Sequence, residues 1–379
     1  MADSANGYRG LVATVTVADG VVRPLETPVD WWYVDRVVWM PDGASLVASI
    51  AVDTLGDLEL WRVAYPSGAT TRLTSDLNSY EGVTAAKDGT LAAVQTSIRQ
   101  TLWVSTEADA SDAHPISTGI EPYLGASWTP DGRVLYSSRR SGNFEVYLSD
   151  AAGQQPRQLT FDKAVDRDPV MAPDGRTVFF ASNRDGPFHI WKVSIDATSA
   201  PQRVTSGGDD EYPAVSPDGQ WLVYQGLDPA KLSASICTMR LDATSPTIVS
   251  QGYANWPAIS PDGRWIAYVQ QAASDEHVKG AVIAVAGDSA PKKFEVPILS
   301  MPRRNYQRLR WSADSRNVLY IDDTGGVSQV WSMTPGAENR TRLTAFPSDR
   351  IFTIDARNGS LLMVRGSVTS DVVVIASAS

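Results

Sequence analysis

DPVMAPDGRTVFFASNRDGPFHIWKVSIDATSAPQRVT (168–205) shows the repeating unit of this chain. PVMA (169–172) is a short apolar run, and PDG then makes a turn. TVFFAS (177–182) is β-branched and aromatic, NRDGP (183–187) is a loop, FHIWKVSI (188–195) alternates, and QRVT (202–205) ends the unit. Four short runs cut by Gly, Pro, Asp and Asn predict an antiparallel four-stranded sheet. No segment keeps a 3.6-residue apolar period, so almost no helix is expected.

The same text recurs along the chain. The turn falls at Asp42, Asp88, Asp131, Asp174, Asp218, Asp262, Asp314 and Asn358, at intervals of 46, 43, 43, 44, 44, 52 and 44 residues. A fixed period in the low forties means one supersecondary unit used many times. In the turn, Pro presets φ, Asp accepts a backbone N–H, and Gly takes the positive φ. These Asp residues therefore read as turn-formers rather than as metal or catalytic groups. Trp39, Trp128 and Trp311 recur on the first strand, and Trp61, Trp103, Tyr147, Trp191 and Trp331 on the third. A large aromatic at one repeated position is expected to fill the space between sheets. Endings such as TRLT (71–74), RQLT (157–160) and TRLT (341–344) mark the fourth strand.

Four-stranded units of this period stack radially as β-propeller blades. The expected fold is an all-β propeller of antiparallel blades in one domain spanning 1–379, with eight blades, or seven as the alternative. Strands within residues 11–27 match third and fourth strands, while RIFTI (350–354), SLLMV (360–364) and DVVVI (371–375) match first, second and third. Both termini would then close the last blade. One third-strand candidate is left over, which leaves an extra outer strand or a natural chain that continues upstream.

Bulk properties narrow the function. The net charge is −10 without a block of Lys or Arg, which argues against nucleic acid and anionic membrane as partners. Cys237 is the only cysteine, so an intrachain disulfide and a thiolate metal site are excluded. No apolar run of about 18 residues suits a membrane span, and MADSANGYRG at the start has neither the n-region nor the h-region of a signal peptide. His114, His189 and His277 are the only histidines, and neither HExxH nor a GxSxG elbow occurs. No enzyme, cofactor or metal is expected.

The repeated PDG followed by an apolar strand, with RLT-type endings, resembles the TolB-like, WD-like repeat family over essentially the whole chain. PVDWWYVDRVVWMPDG (28–43), LTSDLNSYEGV (73–83), LRWSADSRNVLYID (309–322) and FPSDRIFTIDARNG with RGSVTSDVVVI (346–375) look like the propeller attached to some bacterial membrane-anchored serine/threonine kinases and winged-helix regulators. That resemblance implies a sensor domain on the extracytoplasmic side. No Gly-rich phosphate loop, HRD or DFG motif of a kinase is present.

Ligands of such folds meet the central mouth, lined by residues leading into each first strand. Those positions hold Tyr33, Asp35 and Arg36, then Tyr80 and Glu81, then Tyr123, in repeats 1 to 3. Repeats 4 and 5 add Asp166, Arg167, Asp168, Asp210, Glu211 and Tyr212; repeats 6 to 8 add Asn255, Trp256, Tyr306, Arg308, Asp349 and Arg350. The carboxylates of repeats 4 and 5 form an expected acidic arc, and Arg308, Arg350 and Arg36 an expected basic one. Clustered carboxylates raise one another's pKa or recruit a cation; the plainer reading is that they pair between blades. The expected partner is a small molecule, peptide or protein at this mouth, and the chain is expected to be a monomer. Two alternatives stay open: a TolB-like protein–protein scaffold, and a hydrolase or lyase built on the rim carboxylates. Loops QQAASDEHVKGA (270–281) and VPILSMPRRNY (296–306) break the repeat and offer a docking patch or an edge cover.

Overall fold

A computed structural model describes residues 2–4, 7–29, 31–52, 57–118, 121–228, 233–250, 252–271, 279–287, 290–295, 309–323, 325–337 and 339–375. Tyr306, Arg308, His277 and most of the two irregular loops lie outside them. The described residues form strands and turns, with no helix. The chain divides into two compact units, Arg99–Ser367 on the one hand and Met1–Ile98 with Val368–Ser379 on the other.

Each sheet is built by the two punctuation marks of the repeat. At the PDG turn the Asp carboxylate accepts N–H groups two or three residues on: Arg176 and Thr177 donate to Asp174 at 2.8 and 2.9 Å, and Ala44 to Asp42 at 2.8 Å. The Gly N–H closes the turn on the residue before Pro, as Gly175 does on Ala172 at 3.1 Å. The Ser216 and Ser312 hydroxyls, followed by turn N–H groups, hold the exposed Asp218 and Asp314 carboxyls below their ordinary range, and the Thr90 N–H leads in doing so for Asp88. The RLT ending explains itself too. Its Thr hydroxyl accepts a backbone N–H from the third strand, as Thr74 does from Leu60, Thr160 from Val146, Thr205 from Ile190 and Thr344 from Val330. Its Arg Nε then donates to that Thr carbonyl at 2.7 Å in Arg72, Arg203 and Arg342. A fourth strand of two or three residues is thereby fixed at an edge where backbone pairing alone is short.

Arg99–Ser367 is a closed ring. Blade I is Tyr123–Trp128, Val134–Ser138, Glu145–Ser149 and Arg157–Gln158; blade II is Asp166–Met171, Thr177–Ser182, His189–Ser194 and Gln202–Arg203. Blade III is Glu211–Val215, Trp221–Asp228, Ser233–Arg240 and Thr247–Ile248, and blade IV is Tyr253–Ile259, Trp265–Gln271, Lys279–Ala284 and Lys292–Glu295. Blade V is Leu309–Trp311, Val318–Asp322, Gln329–Met333 and Arg340–Arg342. Blade VI takes Arg350–Arg357 and residues 360–367 from the C-terminal region, and residues 99–105 with His114–Pro115 from far upstream. The first strand of each blade packs on that of the next, and the first strand of VI packs back on I.

Six blades therefore close this ring, where eight or seven had been expected. Residues 11–27 do not complete its last blade: Ala13–Val15 and Val22–Pro24 pair with each other instead. The physical reason lies between second and third strands. Repeats 3 and 4 break there at SSRRSGNF (137–144) and SNRDGPF (182–188), whereas LAAVQTSIRQTLWVS (91–105) holds no Gly, Pro, Asn or Asp and SLLMVRGSVTSDVVVI (360–375) holds no Pro or Asn and a single Gly, Gly366. Each runs on as a single long strand. Neither folds back on itself, so the two pair with one another. The backbones close at Gly366, where a Cβ would sit 1.7 Å from the Arg99 carbonyl oxygen.

In the other unit, Tyr33–Trp39, Ser45–Ala51, Glu59–Ala64 and Thr70–Arg72 form a four-stranded sheet. It packs through Met40, Val47 and Leu60 on Tyr80, Val83, Leu91 and Ala93 of a second sheet. That sheet is made of Ser79–Ala85 with residues 91–98 and 368–375, and the Thr96 and Ser370 hydroxyls meet at 2.9 Å. The repeated aromatics divide in their roles. Trp311 is buried and donates to the Ala258 carbonyl of the preceding blade at 2.9 Å. Trp39 was expected inside but is 49% exposed, edge-on to Tyr65. Third-strand aromatics lie under guanidinium groups: Arg184 over Trp191 at 4.8 Å, Arg340 over Trp331 at 4.3 Å and Arg365 over Trp103 at 4.5 Å.

Gly366→Ala forces these paired backbones apart and should cost roughly 2–4 kcal/mol of stability, read as a lower urea midpoint for unfolding of the ring. An unchanged midpoint would show that blade VI does not depend on this approach.

Candidate functional site

The residues leading into the first strands of blades I to IV share a backbone device. Each of these strands carries a bulge, between Tyr123 and Ala126, Arg167 and Val170, Glu211 and Ala214, and Asn255 and Ala258. At the bulge sits a residue with positive φ: Gly125 at 92°, Asp168 at 51°, Tyr212 at 52° and Trp256 at 57°. In blades II to IV the next residue is Pro169, Pro213 or Pro257, which needs no ladder N–H. A left-handed conformation costs a non-glycine residue about 1–2 kcal/mol, so side chains kept there are needed. Asp168 binds Arg167, Tyr212 hydrogen-bonds it, and Trp256 fills the core with Tyr212 and Leu309. Gly125 has the opposite reason, because a Cβ there would stand 2.9 Å from Asp168 Oδ1.

Arg167 is the hub of this floor. Its Nε donates to Asp168 Oδ2 at 2.7 Å, Nη1 to Glu211 Oε1 at 3.0 Å and Nη2 to the Tyr212 hydroxyl at 2.9 Å. Burial opposes its charge, but the adjoining carboxylates hold it protonated. Burial also pushes Glu211 up to about 7, against the pull of Arg167. Next to this hub, Arg184 Nη2 donates to both oxygens of the fully buried Asp166 at 2.9 Å, and its Nη1 pairs with Asp162 at 3.0 Å. His189 lies 3.8 Å from Asp210 and 3.8 Å from Asp185, which is held by Arg203 at 2.8 Å. Asp355 closes the ring: its oxygens accept from Arg310 of blade V and from the Trp128 N–H of blade I, both at 2.7 Å.

The expected acidic arc is thus assembled, with most of its charge paired internally. Asp166, Asp168, Asp210 and Tyr212 are buried, and Glu211 is nearly so. Asn255 and Trp256 are buried as well, and Tyr123 is buried edge-on to Tyr136. Arg350 is exposed in the ring. Of the expected basic arc it is the only member among this unit's described residues, since Arg36 belongs to the other unit and Arg308 lies outside the described residues. Tyr80 and Glu81 also belong to the other unit. There the Tyr80 hydroxyl donates to Asp76 and accepts from Gln95, both at 2.7 Å, while Arg36 is exposed.

Sequence reasoning missed the groups that answer these carboxylates, Arg184 and Arg203, and it missed Phe161. Phe161 leads from blade I into blade II and is 69% exposed. It borders a cleft of about 310 Å³ lined by Leu159–Asp162 and Ala197–Pro201 at the outer edges of the two blades. The signal was available: Phe161 follows RQLT where Phe346 follows TRLT by two residues, yet Phe346 packs on the Arg365 guanidinium, 3.6 Å from its centroid. Phe161 has no such partner among the described residues.

Comparison with known proteins agrees with this architecture. Residues 122–290, which begin at blade I and run into blade IV, match the TolB beta propeller domain. A putative TolB from Agrobacterium tumefaciens has a similar structure, with 19% identity, TM-score 0.57, and 72% of this chain and 99% of that one covered. TolB from Acinetobacter baumannii aligns at 15% identity and TM-score 0.52, covering 83% and 77%. A chain of a nidogen/laminin complex aligns at 14% identity and TM-score 0.53, covering 69% and 97%. No curated protein matches the sequence significantly. The fold is a TolB-like β-propeller.

Glu145 supplies a pH test of the blade interiors. It is buried, accepts from the Thr160 hydroxyl at 2.5 Å and the Asp162 N–H at 2.9 Å, and burial raises its carboxyl to about 7. Blade V solves the same position with Gln329, whose Oε1 accepts from the Thr344 hydroxyl at 2.8 Å and the Phe346 N–H at 3.0 Å. A folded pKa above the unfolded one means ionisation opposes folding, so wild-type stability is lost as pH rises from about 4.5 to about 7. Glu145→Gln should therefore be more stable than wild type at pH 8, by on the order of 1–3 kcal/mol, with the gap shrinking toward pH 5. Urea midpoints at the two pH values check it.

Proposed function

We propose that the ring is a noncatalytic binding propeller that takes a ligand or protein at the mouth formed by the loops entering its first strands. The observation that carries this reading is a contrast within that mouth. Its floor is buried and cross-linked by Arg167 and Arg184, while Tyr253 and Arg350 stand exposed at the starts of the first strands of blades IV and VI. A floor already satisfied by ion pairs gives a rigid platform, and exposed aromatic and guanidinium groups are the residue types that dominate binding surfaces. Ion pairing of the carboxylates also favours binding over general acid–base chemistry.

By the resemblance of its repeats, we place the chain in the sensor part of a bacterial signalling protein, on the extracytoplasmic side. A second reading, a protein–protein scaffold working from the side of the ring, is favoured by the cleft beside Phe161.

Tyr253→Ser and Arg350→Glu change exposed side chains and should leave the melting temperature unchanged. Native mass spectrometry of the purified chain, incubated with a defined library of short peptides, should show adducts that the double variant loses. An identical adduct pattern in both proteins would overturn the mouth reading.

A further inference from the structure

Resting on the mouth reading, we propose that the junction of blades II and III recognises a primary ammonium group, seated between Asp210 and His189 beneath the glycine pair Gly207–Gly208. Two buried acceptors there have nothing to accept from. Asp210 Oδ2 and His189 Nδ1 face each other at 3.8 Å, in side chains 2% and 5% exposed, and neither has a hydrogen-bond partner. Leaving such groups unsatisfied costs about 1–3 kcal/mol each. Their separation is too long for a direct hydrogen bond and suits two acceptors sharing one donor atom. With the His189 proton on Nε2, toward Asp185 at 3.8 Å, the Nδ1 lone pair points at a carboxylate. A donor between them removes that conflict.

The charge balance makes the donor cationic. Arg167 alone answers both Asp168 and Glu211, and Arg203 answers Asp185. Asp209 and Asp210 make no ion pair with Arg or Lys among the described residues, and burial together with Asp210 pushes the Asp209 carboxyl up. A water molecule would meet the geometry but leave this negative charge buried. An ammonium meets both, since it brings three N–H donors on one compact centre, whereas a guanidinium spreads its donors over a planar fork.

The loop fits the approach of such a group. Gly207 is exposed, and a Cβ on it would fall 2.7 Å from Asp210 Oδ1, so a side chain cannot be carried there without displacing the carboxylate. A Cβ at Gly208 would meet nothing within 4 Å. Gly226 backs the carboxylate from the neighbouring strand, where a Cβ would come 2.9 Å from Oδ1. Two glycines, Gly207 and Gly226, thus stand against Asp210, a thin wall over an anionic centre.

The test uses the whole chain with methylammonium, and with tetramethylammonium at equal concentration as a cation of the same charge without N–H donors. Methylammonium should shift the His189 side-chain nitrogen resonances and raise the melting temperature, while tetramethylammonium should do neither. Asp210→Asn should weaken the methylammonium response about tenfold or more. Cadaverine and the peptide acetyl-Gly-Lys-Gly-amide separate the two sources of the group, tighter binding of one assigning a free amine or a lysine side chain. Equal responses to the two ammonium ions in the wild type overturn the assignment whether or not Asp210→Asn folds. If the Tyr253→Ser, Arg350→Glu protein still loses its peptide adducts, that failure leaves the mouth reading standing.

Discussion

The ladder between residues 99–105 and 360–367 joins the two ends of the ring, and the packing of each inner strand on the next presupposes that junction. Hydrogen bonding drives it: a fifteen-residue strand without a turn must find a partner for its backbone somewhere other than in its own hairpin. The C-terminal strand of sixteen residues has the same need. Gly366 lets them approach, and Asp355 then fastens blade VI to both neighbours. Arg357 adds a second clasp, donating to the Pro130 carbonyl at 2.7 Å.

Much of this was legible in the residues. The period predicted four-stranded antiparallel blades, and the PDG and RLT segments do the local work their chemistry suggests. The closure was misread because every repeat was counted as a blade. The turn between second and third strands is what makes a blade from a repeat; QTSIRQT (95–101) has no Gly, Pro, Asn or Asp, and RGSVTSD (365–371) has Gly366 but neither the Pro nor the Asn that SNRDGPF carries. That information was present as a local absence, which a periodicity search passes over. Trp39 shows a different limit. Its position in the repeat matches Trp311, but exposure depends on what covers the first strand, and this the strand itself does not encode.

The candidate site follows the same logic. The repeat is least uniform at the positions leading into the first strands. Residue type alone suggested opposed acidic and basic sides. In the ring the carboxylates are answered by Arg167, Arg184 and Arg203, which come from a strand start, a hairpin loop and a fourth strand. Side chains so far apart in the repeat meet only through blade twist, which sequence spacing does not report. Among the described rim carboxylates, Asp209 and Asp210 have no Arg or Lys to answer them, and there His189 takes the position that Glu145 and Gln329 hold in blades I and V.

Blade VI also sets an order of events during synthesis. Residues 91–105 leave the ribosome long before their ring partner at 360–367, so closure waits until the five blades between them have been made. Throughout that interval a long strand has an unpaired edge, the kind of surface that recruits other chains. Its centre, Gln95, Thr96, Ser97, Ile98, Arg99, Gln100 and Thr101, is largely polar, with a charge in the middle. The composition that gave no turn therefore serves a second end: it keeps a waiting strand soluble until its partner is made.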